Sequence, residues 1–446
     1  MGKILHFLRE ITPRALLGVY HKTLAVLAAL FYQFPSRNLV VIGVTGTDGK
    51  TTTSKLIAWI LEKAGKKVGA ITTVDFKIGE KAWPNPWRQT MPGRFKMQKL
   101  LSQMKDSSLE YAIIEATSHG LVQHRGYLVD FDITCLTNLT HEHLDYHKTF
   151  EDYRSSKAKL FDSLETTYKK RNIPKIAILN KDDPNYNYFS KIPGGKKITY
   201  GIKNKASITA SIIKLYPTSC EFKIKTPQGE IEIKFPFPGL FNVYNVLAAS
   251  AVAFALKIPL LTVKKALESF EGVAGRLEKI ELPPLAKATE GRQNFSVIVD
   301  YAHTPESFEK IFNLFKPLVS GKIWLVFGSA GERDLAKRPL QGEIAGKETD
   351  FVVITDEDPR FEDRDKIIEE ISEGARKAGK KEKVNLFKIP DRQEAINFAI
   401  GQAQPDDLVL ILGKGHEQSI IYEDKKIPWD DRKTAREALE KRLGEK

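Results

Sequence analysis

The sequence predicts an α/β protein with two domains, each built on a mostly parallel sheet, and a short helical segment before them. Apolar runs of five or six residues alternate with helical patterns from residue 39 onward, as in parallel sheets covered by helices. The alternation comes in two blocks, separated near residues 206–238 by a stretch with the two-residue period of antiparallel strands. A chain of 446 residues has room for two or three domains of this size.

Composition agrees with a soluble globular protein of the cytoplasm. Hydrophobic residues make up 42% of the chain and charged residues 28%. The two cysteines, Cys135 and Cys220, provide no disulfide framework, which is typical of a reducing compartment. The formal charge of +13 is spread along the chain rather than gathered in one block, so we expect no nucleic-acid partner.

The segment 1–38 is predicted to be mainly helical. Residues 15–34 are largely apolar, but His21 and Lys22 leave an uninterrupted apolar run of about eleven residues, too short to span a bilayer. We favour a helix packed on the following domain. A helix lying on a membrane surface is the alternative.

The first block, residues 39–273, reads as one sheet with helices between its strands. A helix is predicted over 51–67 and another over 242–256. The strand patterns are LVVIGV (39–44), VGAITT (68–73), YAIIEA (111–116), FDITCLTNL (131–139) and KIAILN (175–180), followed by antiparallel strands within 210–237.

The second block, residues 274–446, is predicted to be a Rossmann-like α/β domain. Its strand patterns each run into a loop rich in Gly, Asp or His, and they are FSVIVDY (295–301), KIWLVFGS (322–329), DFVVITDE (350–357) and DLVLILGKG (407–415). Open α/β sheets bind ligands at the carboxyl ends of their strands, so we expect a site there.

The clearest functional signal is a phosphate-binding loop between the first strand and its helix. Gly46, Gly49, Lys50 and Thr51 follow an apolar strand and open a helix. Glycines let backbone N–H groups face an anion, the lysine neutralises phosphate charge, and the threonine hydroxyl can bind Mg²⁺. The usual consensus would need a glycine at Val44, so the loop is a variant in a P-loop ATPase-like domain.

Two other strand ends carry metal-binding residue types. Glu115 ends an apolar strand and would lie near the loop if both strands share a sheet, which makes it a candidate Mg²⁺ ligand. The segment 137–147 carries His141, His143 and His147 with two carboxylates. No cysteine spacing or H-E-x-x-H pattern supports zinc, so Mg²⁺ with one histidine ligand is favoured over a transition metal.

Taken together, these segments are similar to those of the Mur ligases, ATP-dependent amino-acid-adding enzymes of peptidoglycan synthesis. The chain most resembles the subgroup that makes the UDP-N-acetylmuramoyl-tripeptide with meso-diaminopimelate. The matching segments run through nearly the whole chain from residue 41: GVTGTDGKTTT, EATSHGLVQHR, TNLTHEHLDYHKTFEDYRSSKAKLF, FPGLFNVYNVLAA, GVAGRLE, VDYAHTPES, GSAGERDLAKRP, TDEDPRFED and LGKGHE. The family's loop, G-x-x-G-T-N-G-K-T, accounts for the shifted glycine, with Asp48 in place of Asn.

The resemblance implies a mechanism and a metal site. ATP converts a substrate carboxylate, a poor electrophile, into an acyl phosphate, which the amine of the incoming amino acid attacks. Two Mg²⁺ ions are implied, with Thr51, Glu115, His143 and Lys157 as ligands, the lysine being carried as a carbamate. Read by itself, Lys157 would be an ordinary surface lysine of a helix.

The resemblance also implies the binding residues. ATP would be held by Gly46, Thr47, Asp48, Gly49, Lys50, Thr51, Thr52, Asn138, Asn242, Asn245, Arg276, Asp300 and His303. The acceptor would contact Thr90, Thr117, Gln123 and Arg125, with Met91 standing where a second threonine is usual. The incoming amino acid would contact Arg333, Asp358, Arg360, Gly413 and Glu417. Read alone, Asp300 and His303 could equally be a polar strand end.

Arg360 bears on the amino acid. EDPR (357–360) aligns with the family's D-N-P-R, which marks diaminopimelate-adding enzymes, because a guanidinium can bind the extra carboxylate bidentately. Glu417 would suit the distal ammonium. Asp358, where Asn is usual, adds a negative charge beside a site meant for a carboxylate.

The front of the chain and the competing functions leave alternatives open. Only about 42 residues precede Gly43, where this subgroup has ninety or more, so segment 1–38 is interpreted as a reduced UDP-binding region or the acceptor differs.

A folylpolyglutamate-synthase-like ligase is the nearest enzyme alternative, and a P-loop NTPase acting as a switch is the other. The expected partners are small molecules, a UDP-sugar peptide and an amino acid, and the chain is expected to be a monomer.

Overall fold

The computed structural model describes residues 14–87, 89–140, 147–216, 218–282 and 294–444. The chain divides into two compact units, Met1–Glu271 (unit 1) and Gly272–Lys446 (unit 2). Within the described ranges, no helix combines the length and the apolar character needed to cross a membrane.

Unit 1 contains one large sheet and helices of varied length. Its strands are β1 (Val40–Thr45), β2 (Val68–Ile71), β3 (Asp75–Ile78), β4 (Lys81–Pro84), β5 (Tyr111–Glu115), β6 (Ile133–Leu136), β7 (Ile176–Asn180), β8 (Lys196–Gly201), β9 (Ile208–Leu215), β10 (Cys220–Thr226) and β11 (Gly229–Phe235). Its helices are α1 (Arg14–Phe31), α2 (Lys50–Lys63), α3 (Arg94–Asp106), α4 (Ser118–Val122), α5 (Phe150–Thr166), α6 (Tyr186–Ser190), α7 (Leu240–Ala255) and α8 (Leu260–Glu268), with a 3-10 turn at Pro35–Asn38.

The sheet of unit 1 has the order β11-β10-β9-β8-β7-β6-β1-β5-β2-β3-β4. The seven strands from β9 to β2 pair in parallel, while β9-β10-β11 and β2-β3-β4 pair antiparallel at the two ends. The mostly parallel sheet is confirmed. The antiparallel block continues the same sheet because β9 pairs with β8.

Two predicted elements end earlier than their sequence patterns. The helix predicted over 51–67 ends at Lys63, because Gly65 adopts a left-handed backbone with φ 76°. The strand predicted over 131–139 ends at Leu136, because the side chains of Thr137 and Asn138 turn to the loop that follows β1.

Unit 2 is a smaller parallel sheet with helices on both faces. Its strands are β12 (Glu278–Lys279), β13 (Ser296–Asp300), β14 (Ile323–Phe327), β15 (Phe351–Ile354), β16 (Leu386–Lys388), β17 (Leu408–Leu412), β18 (Ser419–Tyr422) and β19 (Lys425–Pro428). Its helices are α9 (Pro305–Phe315), α10 (Lys337–Glu348), α11 (Arg364–Lys377), α12 (Arg392–Gln402) and α13 (Asp431–Leu443).

The main sheet of unit 2 has the order β12-β13-β17-β14-β15-β16, parallel except for the short edge strand β12. One core packs α9, α10 and α11 on the sheet, and a second core packs α12 and α13. The fully buried Arg392 guanidinium joins these last two helices by donating to both carboxylate oxygens of Asp431 at 2.7 Å. The predicted Rossmann-like arrangement is confirmed.

Helix α1 belongs to unit 1 and packs against α3. Its buried face includes the small residues Ala25, Ala28 and Ala29, which allow close approach. This agrees with the favoured interpretation of a helix packed on the following domain. The first thirteen residues of the 1–38 segment lie outside the described residues.

Candidate active site

The loop between β1 and α2 is closely confined. A Cβ atom on Gly46 would lie 1.8 Å from the Thr137 hydroxyl, and one on Gly49 would lie 2.2 Å from Asn245 Oδ1. Gly49 also has φ 75°, which favours glycine. Both glycines are therefore required by their surroundings, whereas position 44 lies inside β1 and accommodates valine.

Side chains from the end of β6 hold this loop in place. Asn138 accepts from the backbone N–H of Asp48 at 2.9 Å and donates to its carbonyl at 3.2 Å. Thr137 donates to the same carbonyl at 2.6 Å. Thr47 bonds with the Tyr153 hydroxyl at 3.1 Å. The loop is thus preorganised by protein contacts, of which sequence reasoning had found Asn138 but not Thr137 or Tyr153.

Glu115 lies beside the loop because β1 and β5 are neighbours, with Val44 opposite Glu115. The buried carboxylate accepts from the Thr51 hydroxyl at 3.1 and 3.0 Å. It also accepts from the Thr73 hydroxyl at 2.8 Å and the Thr73 N–H at 2.9 Å, and Thr73 bonds with Thr90 at 2.8 Å. Sequence reasoning missed Thr73, which follows β2 without any recognisable pattern.

Two lysines reach the carbonyl groups of this loop. Lys157 on α5 is 1% exposed, donates to the Gly46 carbonyl at 2.7 Å, and lies 4.5 Å from the centre of the Tyr153 ring. Its interpretation as an ordinary surface lysine is therefore wrong. Lys50 donates to the Thr47 carbonyl at 2.6 Å.

The predicted histidine ligand cannot be placed. His143 lies in the stretch 141–146, outside the described residues. Among the residues that are described, no group of three or more His, Cys, Asp or Glu side chains could hold a metal ion. Near the loop, Thr51 and Glu115 offer oxygen atoms that could bind a metal ion, and oxygen is the ligand type that Mg²⁺ prefers.

The predicted acceptor contacts form a network beyond β5. Thr117 caps α4 by accepting from the Gly120 N–H at 3.2 Å. Arg125 donates to the Gln123 side chain at 3.1 and 2.7 Å and to the Met91 carbonyl at 2.6 Å. The Met91 side chain is fully buried, so it fills the core instead of replacing a polar contact.

Asn242 and Asn245 lie one turn apart at the start of α7. Asn245 donates to Asn242 at 3.2 Å and accepts from the Thr53 hydroxyl on α2 at 3.3 Å. Asn242 donates to the Pro238 carbonyl at 2.8 Å. Both asparagines thus lie beside the start of the helix that follows the phosphate loop.

In unit 2, the predicted nucleotide residues lie together after β13. The Arg276 guanidinium lies 4.5 Å from the centre of the Tyr301 ring, and His303 Nδ1 is 2.9 Å from the Tyr301 carbonyl. The buried Asp300 carboxylate accepts at 2.7 Å from the backbone N–H groups of Leu277 and Ala302. Asp300 therefore stabilises this turn, as its interpretation as a polar strand end implies, and its ribose contact stays a prediction.

Two of the amino-acid residues predicted in unit 2 contact Lys414, which sequence reasoning missed although it stands in LGKGHE. Lys414 is completely buried and donates to Asp358 at 2.8 Å and to Glu417 at 2.6 Å. Asp358 also accepts from the Ile421 N–H at 2.9 Å. Asp358 and Glu417, both predicted to contact the incoming amino acid, share one ammonium.

Arg360 projects from a constrained backbone near this cluster. Its φ is 56°, its N–H donates to the Ile421 carbonyl at 3.0 Å, and its carbonyl accepts from Glu423 at 2.7 Å. The guanidinium Nη1 lies 3.8 Å from the Glu332 carboxylate, and a quarter of the side chain is exposed. Arg333, the next residue along from Glu332, is exposed.

Glu357 and Gly413 lie against each other. Gly413 has φ 107°, and a Cβ there would lie 3.0 Å from Glu357 Oε2. That buried oxygen accepts no hydrogen bond from the described residues. Burial raises the pKa of the Glu357 carboxyl, while nearby Lys337 and Lys414 act in the opposite direction.

Comparison with known proteins decides the family. The profile of the Mur ligase middle domain matches residues 44–253, and that of the Mur ligase glutamate ligase domain matches residues 285–415. This chain belongs to the Mur ligase family. It is accordingly an ATP-dependent ligase, and the resemblance drawn from its sequence is confirmed.

Individual Mur ligases align with most of the chain. UDP-N-acetylmuramyl-tripeptide synthetase of Roseiflexus sp. (strain RS-1) is 46% identical over 93% of this chain and 81% of its own length. UDP-N-acetylmuramoyl-L-alanyl-D-glutamate–2,6-diaminopimelate ligase of Geobacillus thermodenitrificans (strain NG80-2) is 43% identical over 94% of this chain and 83% of its own.

Solved structures show the same fold. A structure of a UDP-N-acetylmuramoyl-L-alanyl-D-glutamate–2,6-diaminopimelate ligase is 31% identical with a TM-score of 0.61, covering 90% of this chain and 78% of that one. Folylpolyglutamate synthase of Mycobacterium tuberculosis has a TM-score of 0.68 over 95% of both chains at 13% identity, which shows the fold alone.

Proposed function

We propose that this protein adds an amino acid, meso-diaminopimelate, to UDP-MurNAc-L-Ala-D-Glu at the expense of ATP. The observation that carries the proposal is the confined loop 46–51 beside the buried Glu115, in a chain 46% identical to a tripeptide synthetase. ATP activates the acceptor carboxylate as an acyl phosphate, and the amino group of the incoming amino acid displaces the phosphate to form the amide. Lys50 neutralises phosphate charge, and backbone N–H groups of the loop bind phosphate oxygens.

Mg²⁺ is proposed to bind beside the loop, on the oxygens of Thr51 and Glu115, with His143 as a further ligand. The Thr51 hydroxyl and the Glu115 carboxylate are already joined by a hydrogen bond. Their oxygen atoms are the ligand type that Mg²⁺ prefers. The metal supplies charge neutralisation at the phosphates. Thr73 holds the Glu115 carboxylate in position through two hydrogen bonds.

Lys157 is proposed to carry a carbamate that helps hold a second Mg²⁺. Its burial against the loop supports this, because a carbamate there would place an anionic oxygen, the ligand type that Mg²⁺ prefers, beside the loop. The carbamate nitrogen keeps one N–H, which can still donate to the Gly46 carbonyl. The Tyr153 ring, whose centre lies 4.5 Å from Lys157 Nζ, orients the side chain.

The diaminopimelate assignment rests on Arg360. Within the part of the chain that the structure describes, its guanidinium has one carboxylate within 4 Å, that of Glu332 at 3.8 Å, which leaves donors for the distal carboxylate of a substrate. The negative charge of Asp358, which could have opposed this, is balanced by Lys414. Glu417 is then shared between Lys414 and the substrate ammonium.

The remaining assignments follow the same proposal. The central ATP-binding domain comprises residues 39–273, and the amino-acid-binding domain comprises residues 274–446. The acceptor substrate is contacted by Thr90, Thr117, Gln123 and Arg125. The enzyme acts as a monomer in the cytoplasm on small-molecule substrates. Asn242, Asn245, Arg276, Asp300 and His303 complete the nucleotide site.

A phosphate-release assay with UDP-MurNAc-dipeptide, ATP, Mg²⁺ and a panel of amino acids tests the proposal. We expect release that depends on both acceptor and diaminopimelate, with Lys50→Ala as the inactive control. Release without an amino acid would indicate a nucleotide-dependent switch instead. Release with a folate and glutamate, and none with the UDP-sugar peptide, would indicate a folylpolyglutamate-type ligase.

A further inference from the structure

Helix α1 presents an apolar face that no described part of unit 1 covers. Six large side chains are 50–71% exposed, and they are Leu16, Val19, Tyr20, Leu27, Leu30 and Phe31. At 100° per residue they fall within an arc of about 120° on the helix. Single exposed apolar residues are ordinary, but a continuous stripe of six marks an interaction surface.

The stripe continues onto α3. The rings of Phe31 and Phe95 lie 6.4 Å apart, and Phe95 is also 43% exposed. We call these seven residues the α1–α3 surface. Because the opposite face of α1 is anchored through Ala25, Ala28 and Ala29, the surface is held in place by packing on the domain.

The charge around this surface is mostly of one sign. Residues 11–47 and 81–105, which contain α1, all of α3 except its last residue Asp106, and the segments next to them, carry nine Lys and Arg residues and no Asp or Glu. The chain averages one acidic residue in eight, so about eight would be expected in these 62 positions. An apolar stripe with a largely cationic surround is complementary to a surface that is anionic outside and apolar beneath.

We propose that the α1–α3 surface docks the enzyme reversibly on an anionic lipid membrane. The apolar face would enter the boundary between headgroups and acyl chains while lysines and arginines contact lipid phosphates. Lys22 can lay its aliphatic stem on the apolar layer and direct its ammonium to a lipid phosphate. The ammonium lies 5.1 Å from the centre of the Tyr127 ring, and the residue is exposed. The inference does not depend on the proposed ligase reaction.

A second copy of the chain fits this surface less well. A two-fold symmetric dimer would bring the same face of each copy together, so cations would meet cations. Such like-charge contacts oppose association, whereas anionic headgroups favour it.

Co-sedimentation of the full chain with vesicles tests the proposal. The vesicles are phosphatidylcholine alone or an equal mixture with phosphatidylglycerol, at 0.1 M and 1 M NaCl. We expect binding to the anionic vesicles that weakens in 1 M salt, where the screening length falls from about 10 Å to about 3 Å. Leu27→Glu/Leu30→Glu should lower the partition coefficient at least about tenfold, because two leucines no longer enter the apolar layer.

The matched control is Leu261→Glu/Val384→Glu, which makes the same change in net charge at two similarly exposed residues that do not belong to the α1–α3 surface. It should bind like the parent, and both variants should keep the parent's circular dichroism. No binding to anionic vesicles, or equal binding by the Leu27→Glu/Leu30→Glu variant, would overturn the proposal. So would a parent dimer in sedimentation velocity that this variant dissociates, since a second copy would then cover the face.

Discussion

The buried ammonium of Lys414 lies 2.8 Å from the Asp358 carboxylate, and this ion pair balances the charge of Asp358. Asp358 occupies the position where Asn would be expected, so its charge could have neutralised the arginine. Because Lys414 balances it, Arg360 can still bind a carboxylate of the incoming amino acid.

Arg360→Ala should raise the KM for diaminopimelate without altering the KM for ATP. Removing one partner of a buried, hydrogen-bonded charge pair costs about 2–5 kcal/mol, or roughly 30-fold to several-thousand-fold in affinity. Arg376→Ala, an exposed arginine with the surface partners Glu369 and Glu382, is the matched control. Steady-state kinetics with diaminopimelate and lysine measure the effect, and equal use of both by parent and variant would end the assignment.

Asp358→Asn tests the ion pair in the same assay. An asparagine oxygen can still accept from Lys414 and from the Ile421 N–H. We therefore expect the ratio of kcat/KM for diaminopimelate and lysine to stay within about threefold of the parent, less than the roughly tenfold that 1.4 kcal/mol produces. A strong gain for diaminopimelate would mean that the Asp358 charge does reach Arg360.

Lys414→Met should destabilise unit 2. Its loss leaves the carboxylates of Asp358 and Glu417 without their shared cation, and breaking a buried ion pair costs about 3–5 kcal/mol. At about 2–4 °C per kcal/mol for a unit of this size, calorimetry should show a Tm lower by roughly 6–20 °C. Lys316→Met, which removes the exposed pair with Glu348, should change Tm by a few degrees at most. Equal effects of the two variants would contradict this interpretation.

Lys157→Ala should lose activity that short carboxylates partly restore. The carbamate is in effect a carboxylate on a long stem, so a small acid can occupy the space left beside the loop. Rates are compared with and without added formate or acetate, using Lys50→Ala, which no carboxylate should rescue, as the control. Full activity of Lys157→Ala, or an unmodified amine in the Mg²⁺-bound parent by intact mass, would contradict the carbamate.

Glu357→Gln should stabilise unit 2 increasingly as pH rises. Burial raises the pKa of Glu357 above its ordinary value of 4.5, so its protonated form is favoured in the folded state. Its contribution to stability is fully present below about pH 4.5 and is lost as pH rises through the raised pKa. The variant never ionises, so its Tm minus that of the parent should grow between pH 4 and pH 8. The exposed Glu373→Gln should show no such trend, and a flat difference for Glu357→Gln would contradict a raised pKa.

The sequence by itself determined the fold class, the positions of most strands along the chain and the family. These are encoded locally, since the period of apolar residues and the Gly-Lys-Thr order after β1 depend only on neighbours along the chain. Glu115 could be placed near Thr51 because the ends of parallel strands share one edge of a sheet.

Only the tertiary structure decided which charges meet. Lys157 is a buried neighbour of Gly46 although 111 positions separate them, and nothing in its helix distinguishes it from a surface lysine. Thr73 holds the predicted site residue Glu115 but carries no pattern of its own, and the position of Lys414 in LGKGHE does not reveal that it pairs with Asp358. Distances across the fold decide whether Lys414 or Arg360 balances the charge of Asp358. They also decide which face of α1 is buried and which is exposed. Ion pairing and burial are set by distances across the fold, so spacing along the chain could not determine them.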